Sequence, residues 1–119
     1  MEVYRTFRFH SARSLPNLKD NHICKQVHGH TFNLTLYVTG PINDETGFIV
    51  DFYELDNIFN IHIMPLIDHK YLNDVNGLDN PTSENLCKWI WTHLIDHIPG
   101  LTKIYLSEDH GTGIIYAGE

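Results

Sequence analysis

Two stretches in the first third of the chain alternate polar and apolar residues with the period of two that marks a half-buried strand. Between residues 2 and 13, Phe7, Phe9, Ser11 and Arg13 share one face, and Tyr4, Arg8, His10 and Ala12 share the other. From His28 to Thr39, one face collects His28, His30, Phe32, Leu34, Leu36 and Val38. Ser14 to Val27, with Pro16, Asn17, Asp20 and Asn21, is a loop between these strands, and Gly40 to Gly47 is dense in turn formers. The period then changes. Asp51 and Glu54 have capping-box spacing, so a helix starts there, and Leu55, Ile58, Phe59, His62, Ile63 and Leu66 recur along it until Pro65 ends or kinks it. Ile67 to Asn80 reads as irregular. A second helix opens around Asn80-Pro81-Thr82-Ser83-Glu84, where Asn80 or Thr82 can cap and Pro81 is tolerated in a first turn. Leu86, Trp89, Ile90, Trp91, Leu94, Ile95 and Ile98 give it a broad apolar side before Pro99-Gly100 stops it. Two last strands follow, 101–108 and 112–117, with Gly111 or Gly113 in the turn.

The order β-β-α-α-β-β predicts an α+β fold, an antiparallel sheet with two helices on one face, and a single domain over residues 1–119. The net charge of −7 and the lack of a Lys/Arg cluster argue against a nucleic-acid partner. An anionic substrate then needs a locally positive pocket. No apolar run approaches a membrane span, and Met1-Glu2-Val3-Tyr4-Arg5 is no signal peptide, so a cytoplasmic protein without a membrane partner is expected. Two cysteines, Cys24 and Cys87, suit a reducing compartment better than a disulfide framework.

Candidate chemistry gathers around Asn21 to His30, where Cys24 precedes a His28-Gly29-His30 pair. Residues two apart in a strand project side by side, about 7 Å apart at the backbone, so both imidazoles can converge on one ion. Three ligands plus an open position make a catalytic metal site, and neutral imidazole is its commonest ligand. Gly29 leaves the opposite face bare for another backbone to approach. Two surface histidines at a strand start are the competing reading. Glu108 ends a strand on the face of Thr102, Ile104 and Leu106, so it is either a solvated loop-mouth residue or an acceptor for paired N–H donors of a ligand. Asp68-His69 is either a proton relay or two neighbours facing apart. His62, His93 and His97 fall in helical segments and read as packing or surface residues.

His22 to His30, Gly47-Phe48-Ile49-Val50-Asp51-Phe52, Asp68-His69-Lys70-Tyr71-Leu72-Asn73, Asn80 to Glu84 and Glu108 with Ile115-Tyr116-Ala117-Gly118-Glu119 together resemble the 6-pyruvoyl-tetrahydropterin synthase family. The resemblance runs through essentially the whole chain and is strongest to the short bacterial 6-carboxytetrahydropterin synthase branch of the 7-deazaguanine (queuosine) pathway. It implies a tunnelling fold assembled as a homo-oligomer, trimers stacked into hexamers, with sites at subunit boundaries. It implies a small-molecule substrate, 7,8-dihydroneopterin triphosphate. By position it makes His28 and His30 ligands of a zinc ion, Cys24 the general base, Asp68 and His69 a relay from a neighbouring subunit, and Glu108 the anchor of the pterin ring. The expected activity is that of a metal-dependent lyase giving 6-carboxytetrahydropterin, acetaldehyde and triphosphate. A 6-pyruvoyl product or a non-catalytic pterin-binding paralogue are the alternatives. One departure stands out. In the stretch Phe9-His10-Ser11-Ala12-Arg13-Ser14-Leu15-Pro16, Arg13 occupies the position of the third histidine ligand, and an always-charged guanidinium has no lone pair to offer a metal. His10, His22 or Cys24 then has to complete the shell, or the site is metal-free, and Arg13 becomes available to meet the triphosphate.

Overall fold

A computed structural model describes residues 1–119. In chain order its elements are β1 (Glu2–Arg13), β2 (His28–Thr39), α1 (Phe52–His62), α2 (Met64–Ile67), β3 (Lys70–Tyr71), α3 (Ser83–Leu94), β4 (Leu101–Glu108) and β5 (Gly113–Tyr116), with short 3-10 turns at Ile23–Lys25 and Leu72–Asp74. The five strands form one sheet in the order β3-β1-β2-β4-β5. β1 and β2 pair antiparallel along their whole length, from Glu2 opposite Thr39 to Arg13 opposite His28. The predicted alternation therefore decides the layers. Phe9, Phe32, Leu34 and Leu36 are fully buried on the inner face, and the rings of Phe9 and Phe32 stack 5.1 Å apart.

The helices close over that face and share one core with it. Asp51 caps α1 by accepting from the Tyr53 amide at 2.9 Å, and Leu55, Ile58 and Phe59 turn inward, Phe59 stacking on Phe7. The helix does not run through Pro65. It ends at His62, and Pro65 enters the first turn of α2, where its missing N–H costs no hydrogen bond. The break resets the phase, so Ile67 is buried while Leu66, expected inside, is 43% exposed. Thr82, rather than Asn80, caps α3 through the Asn85 amide, which leaves Pro81 just outside the helix. Cys87 joins Leu86, Ile90 and Leu94 in the core, where burial, with the Glu119 charge, pushes its thiol up to about 12. Both cysteines are free thiols.

Gly100 turns the chain from α3 into β4 at φ 83°, and a Cβ there would lie 2.1 Å from the Thr39 carbonyl oxygen, so only glycine fits. A register shift between Tyr37 and Val38 brings Leu101 into the core opposite Val38. It also takes Thr102 out of the inner row of Ile104 and Leu106 expected for it, and its hydroxyl bonds Glu2 instead. The stretch from Ile67 onwards, read as irregular, contains β3, which pairs parallel with β1, Ser11 opposite Lys70 and Ala12 opposite Tyr71. The sheet is thus antiparallel across four strands with a two-residue parallel edge. No helix is long and apolar enough to cross a membrane.

Candidate functional site

The strand register gathers polar side chains where the apolar rows run out. Arg13 lies opposite His28, Ser11 opposite His30, and Glu108 opposite Phe32, all at the same end of the sheet. Arg13 is 5% exposed, and its guanidinium is held from three sides. One terminal nitrogen donates to Glu108 Oε1 at 2.6 Å; the other donates to the Pro81 carbonyl at 3.2 Å and to Ser83 Oγ at 3.1 Å. Ser83 Oγ donates to the same Glu108 oxygen at 2.6 Å. Burial alone would raise the Glu108 pKa, but the Ser83 and Arg13 hydrogen bonds and the Arg13 charge outweigh it and hold the carboxylate below its ordinary value. Glu108 thus has one oxygen committed within the protein, while the other lies 3.8 Å from His30 Nδ1.

Arg13, Ser83 and Glu108 line a cavity of about 440 Å³ together with His22 and Cys24. The 3-10 turn brings Cys24 there, and its backbone N–H donates to His22 Nδ1 at 3.1 Å. Beside the cavity, the His28 and His30 rings meet edge to face, 4.8 Å between centroids. His28 Nδ1 bonds the Gln26 carbonyl at 2.8 Å, which requires the proton on Nδ1. Its Nε2 is buried without a partner, and so is Arg13 Nε. Burial, and then the nearby Arg13 charge, lower the His30 pKa against the pull of Glu108, which favours the neutral ring.

Two imidazoles side by side suit a metal ion, but the rest of a shell does not assemble. No group of three His, Cys, Asp or Glu side chains is placed to hold one. His10 lies on the opposite face of β1 and bonds Thr31, and His22 is engaged with the Cys24 amide. The position facing His28 across the strands is filled by a guanidinium. The residues present therefore do not fit a three-ligand zinc centre. The terminal nitrogens of Arg13 are spent on protein acceptors rather than left open to an anionic tail.

Asp68 and His69 form a second cluster on the outer face. Asp68 Oδ1 accepts the His10 backbone N–H at 3.0 Å, and Oδ2 lies 2.7 Å from His69 Nδ1. Burial pulls the Asp68 pKa up, but the His10 N–H and the hydrogen bond and charge of His69 pull harder and leave it lowered. His69 adopts φ 56°, a left-handed conformation that few non-glycine residues take, and its N–H donates to the His10 carbonyl. Its side chain is 76% exposed. The two residues do face each other, as a relay requires. His69 lines a separate open depression of about 550 Å³ with His10, Gly29 and Thr31, so one chain keeps the dyad's imidazole and Cys24 in different hollows.

His10, a candidate for the metal shell, lies instead beside His69, 5.8 Å between ring centroids; Ser83 was not legible as a site residue. Pro81-Thr82-Ser83 does carry a signal, since a helix cap uses one hydroxyl and here there are two. His62 and His97 stack on each other at 3.7 Å, and His93 stacks on Trp89, so these three histidines pack as expected.

Comparison with known proteins agrees with this architecture. The family model described as 6-pyruvoyl tetrahydropterin synthase matches residues 2–119. A 6-carboxy-5,6,7,8-tetrahydropterin synthase of Synechocystis is 35% identical, over 89% of this chain and 84% of that protein. A 6-pyruvoyl tetrahydrobiopterin synthase of Dictyostelium discoideum is 31% identical, over 81% of this chain and 74% of that protein. The solved structure of Caenorhabditis elegans 6-pyruvoyl tetrahydropterin synthase superposes with a TM-score of 0.89, covering 100% of this chain and 96% of that one at 21% identity, a likeness of fold.

Proposed function

From the chain's membership of the 6-pyruvoyl tetrahydropterin synthase family, we propose that it is a 6-carboxytetrahydropterin synthase of queuosine (7-deazaguanine) biosynthesis. It takes 7,8-dihydroneopterin triphosphate and water to 6-carboxy-5,6,7,8-tetrahydropterin, acetaldehyde and triphosphate. The observation that carries the reading is the single cavity in which Cys24, Ser83, Arg13 and Glu108 meet. A pterin offers its amino and ring N–H edge to a carboxylate, and Glu108 has an oxygen left to accept from it. Cys24, which lines the same cavity, is the base that removes a proton from the substrate side chain, a task that suits a partly exposed thiol.

Asp68 and His69 are the partner acid and relay, returning the proton to the leaving fragment or the ring. Because they lie on the outer face, this role requires a second copy to bring its dyad against the cavity, so the active form is a homo-oligomer, a trimer or hexamer, in the cytoplasm. Tyr53, Ile61 and Ile115, exposed by 78%, 67% and 67%, give such an assembly apolar surface to cover.

Mass spectrometry of the products from purified protein and dihydroneopterin triphosphate tests the reading. A 6-carboxy pterin with acetaldehyde is expected. A retained three-carbon side chain would assign the 6-pyruvoyl activity instead, and pterin binding without turnover would leave a binding protein.

A further inference from the structure

The inner face of the sheet sets a permanent cation beside the two imidazoles that could otherwise take a dication. Arg13 is the cross-strand partner of His28, and His30 follows two residues on along the same face. The guanidinium cannot swing away, because Glu108, Ser83 and the Pro81 carbonyl bond its terminal nitrogens in a nearly closed site. It keeps its charge at any ordinary pH and has no lone pair to share. Charges screened from water act on each other strongly, so an ion held by the imidazoles would face a fixed positive neighbour.

The same side chain also withdraws the carboxylate that could complete a shell. Glu108 Oε2 lies 3.8 Å from His30 Nδ1, but Arg13 already neutralises that carboxylate through Oε1 at 2.6 Å. On His28, Nδ1 is bonded to the Gln26 carbonyl, which leaves Nε2 to coordinate, and Nε2 is buried.

We propose that Arg13 is the resident cation of this cluster, keeping divalent metals off the His28–His30 pair by its charge as well as by the ligand it fails to supply. It neutralises Glu108 where a metal ion would otherwise do so. This exclusion is a property of the cluster and does not depend on the pterin reading. The two contributions are separable. If the pair merely lacks a third ligand, removing the charge changes nothing. If the charge repels the ion and ties up Glu108, affinity rises once the charge is gone, with no imidazole added.

Calorimetric titration with zinc, after EDTA treatment and desalting of the purified protein, tests this. His28→Ala measures what the other histidines and the cysteines contribute. Parent and His28→Ala should give the same zinc affinity within twofold, and a larger loss in His28→Ala would show a working metal site and overturn the proposal. Arg13→Gln removes the charge and still offers an N–H to Glu108. With its fold verified by circular dichroism, it should bind one zinc at least tenfold more tightly than the parent, and adding His28→Ala should abolish the gain. No gain would reduce Arg13 to an absent ligand and overturn exclusion by charge. Should Arg13→Gln not fold, Arg13→Gln combined with Glu108→Gln leaves no buried charge unpaired. A gain that depends on His28 is again expected there, and its absence is again contrary.

Discussion

Strand β1 carries an acid–base cluster on each of its faces, and the two are built on opposite principles. The inner one, Arg13 with Glu108 and Ser83, is a charge pair with side chains only 6% and 16% exposed, fixed by hydrogen bonds between segments far apart in sequence. The outer one, Asp68 with His69, joins neighbours in sequence and leaves the imidazole in water. A buried pair is rigid because breaking it strands a charge in a low dielectric, whereas an exposed pair exchanges readily with solvent. The inner cluster thus suits holding and orienting a ligand, and the outer one suits passing a proton to something that arrives from outside.

The largest effect should come from splitting the inner pair. Arg13→Ala leaves Glu108 buried without its partner and should lose about 3–5 kcal/mol of unfolding free energy in urea, while His69→Ala should lose less than about 1 kcal/mol because its pair is open to solvent. Similar losses in the two variants would erase the distinction between the clusters. Next comes catalysis. Cys24→Ala is expected to cut turnover by about 10²–10⁴-fold with pterin affinity nearly intact, and an unchanged rate would exclude Cys24 as the base. A sharper test mixes subunits. If inner and outer clusters meet only between copies, co-refolded Cys24→Ala and His69→Ala proteins should recover activity that neither has alone, and no recovery would place all the groups within one chain.

The smallest effect is on acid stability. Asp68 has a folded pKa below its ordinary value of 3.8, so its contribution is complete above that pH and is lost as the pH falls through the lowered value. Asp68→Asn should therefore be somewhat less stable at neutral pH and show a shallower loss below about pH 4, followed by fluorescence.

Alternation made β1, β2 and their inner faces readable, because a period of two repeated over a long strand leaves few other registers that bury the aromatics. Asp51 and Thr82 were readable as caps for the same local reason. β3 was not, since two residues carry no period, and its pairing with Ser11 and Ala12 is decided by where α2 delivers the chain. The break before Pro65 was foreseen but not the change of phase behind it, which moved Ile67 inward and Leu66 out. Glu108 was recognisable as a carboxylate facing the core side. That its partner is Arg13, 95 residues away, required the register of three strands. The spare hydroxyl of Ser83 was legible only as a surplus.

The two-residue edge strand has a consequence for how the molecule breathes. β2 is central and paired on both sides, so its amides should exchange with deuterium only through global opening, whereas β3 is held by a short ladder at an open edge. Its release is a local event that leaves the core layer untouched. The dyad at its start can therefore detach and re-seat many times within the life of one folded chain, and a neighbouring surface that clasps this edge would slow the exchange of Lys70 and Tyr71 before it changed anything else.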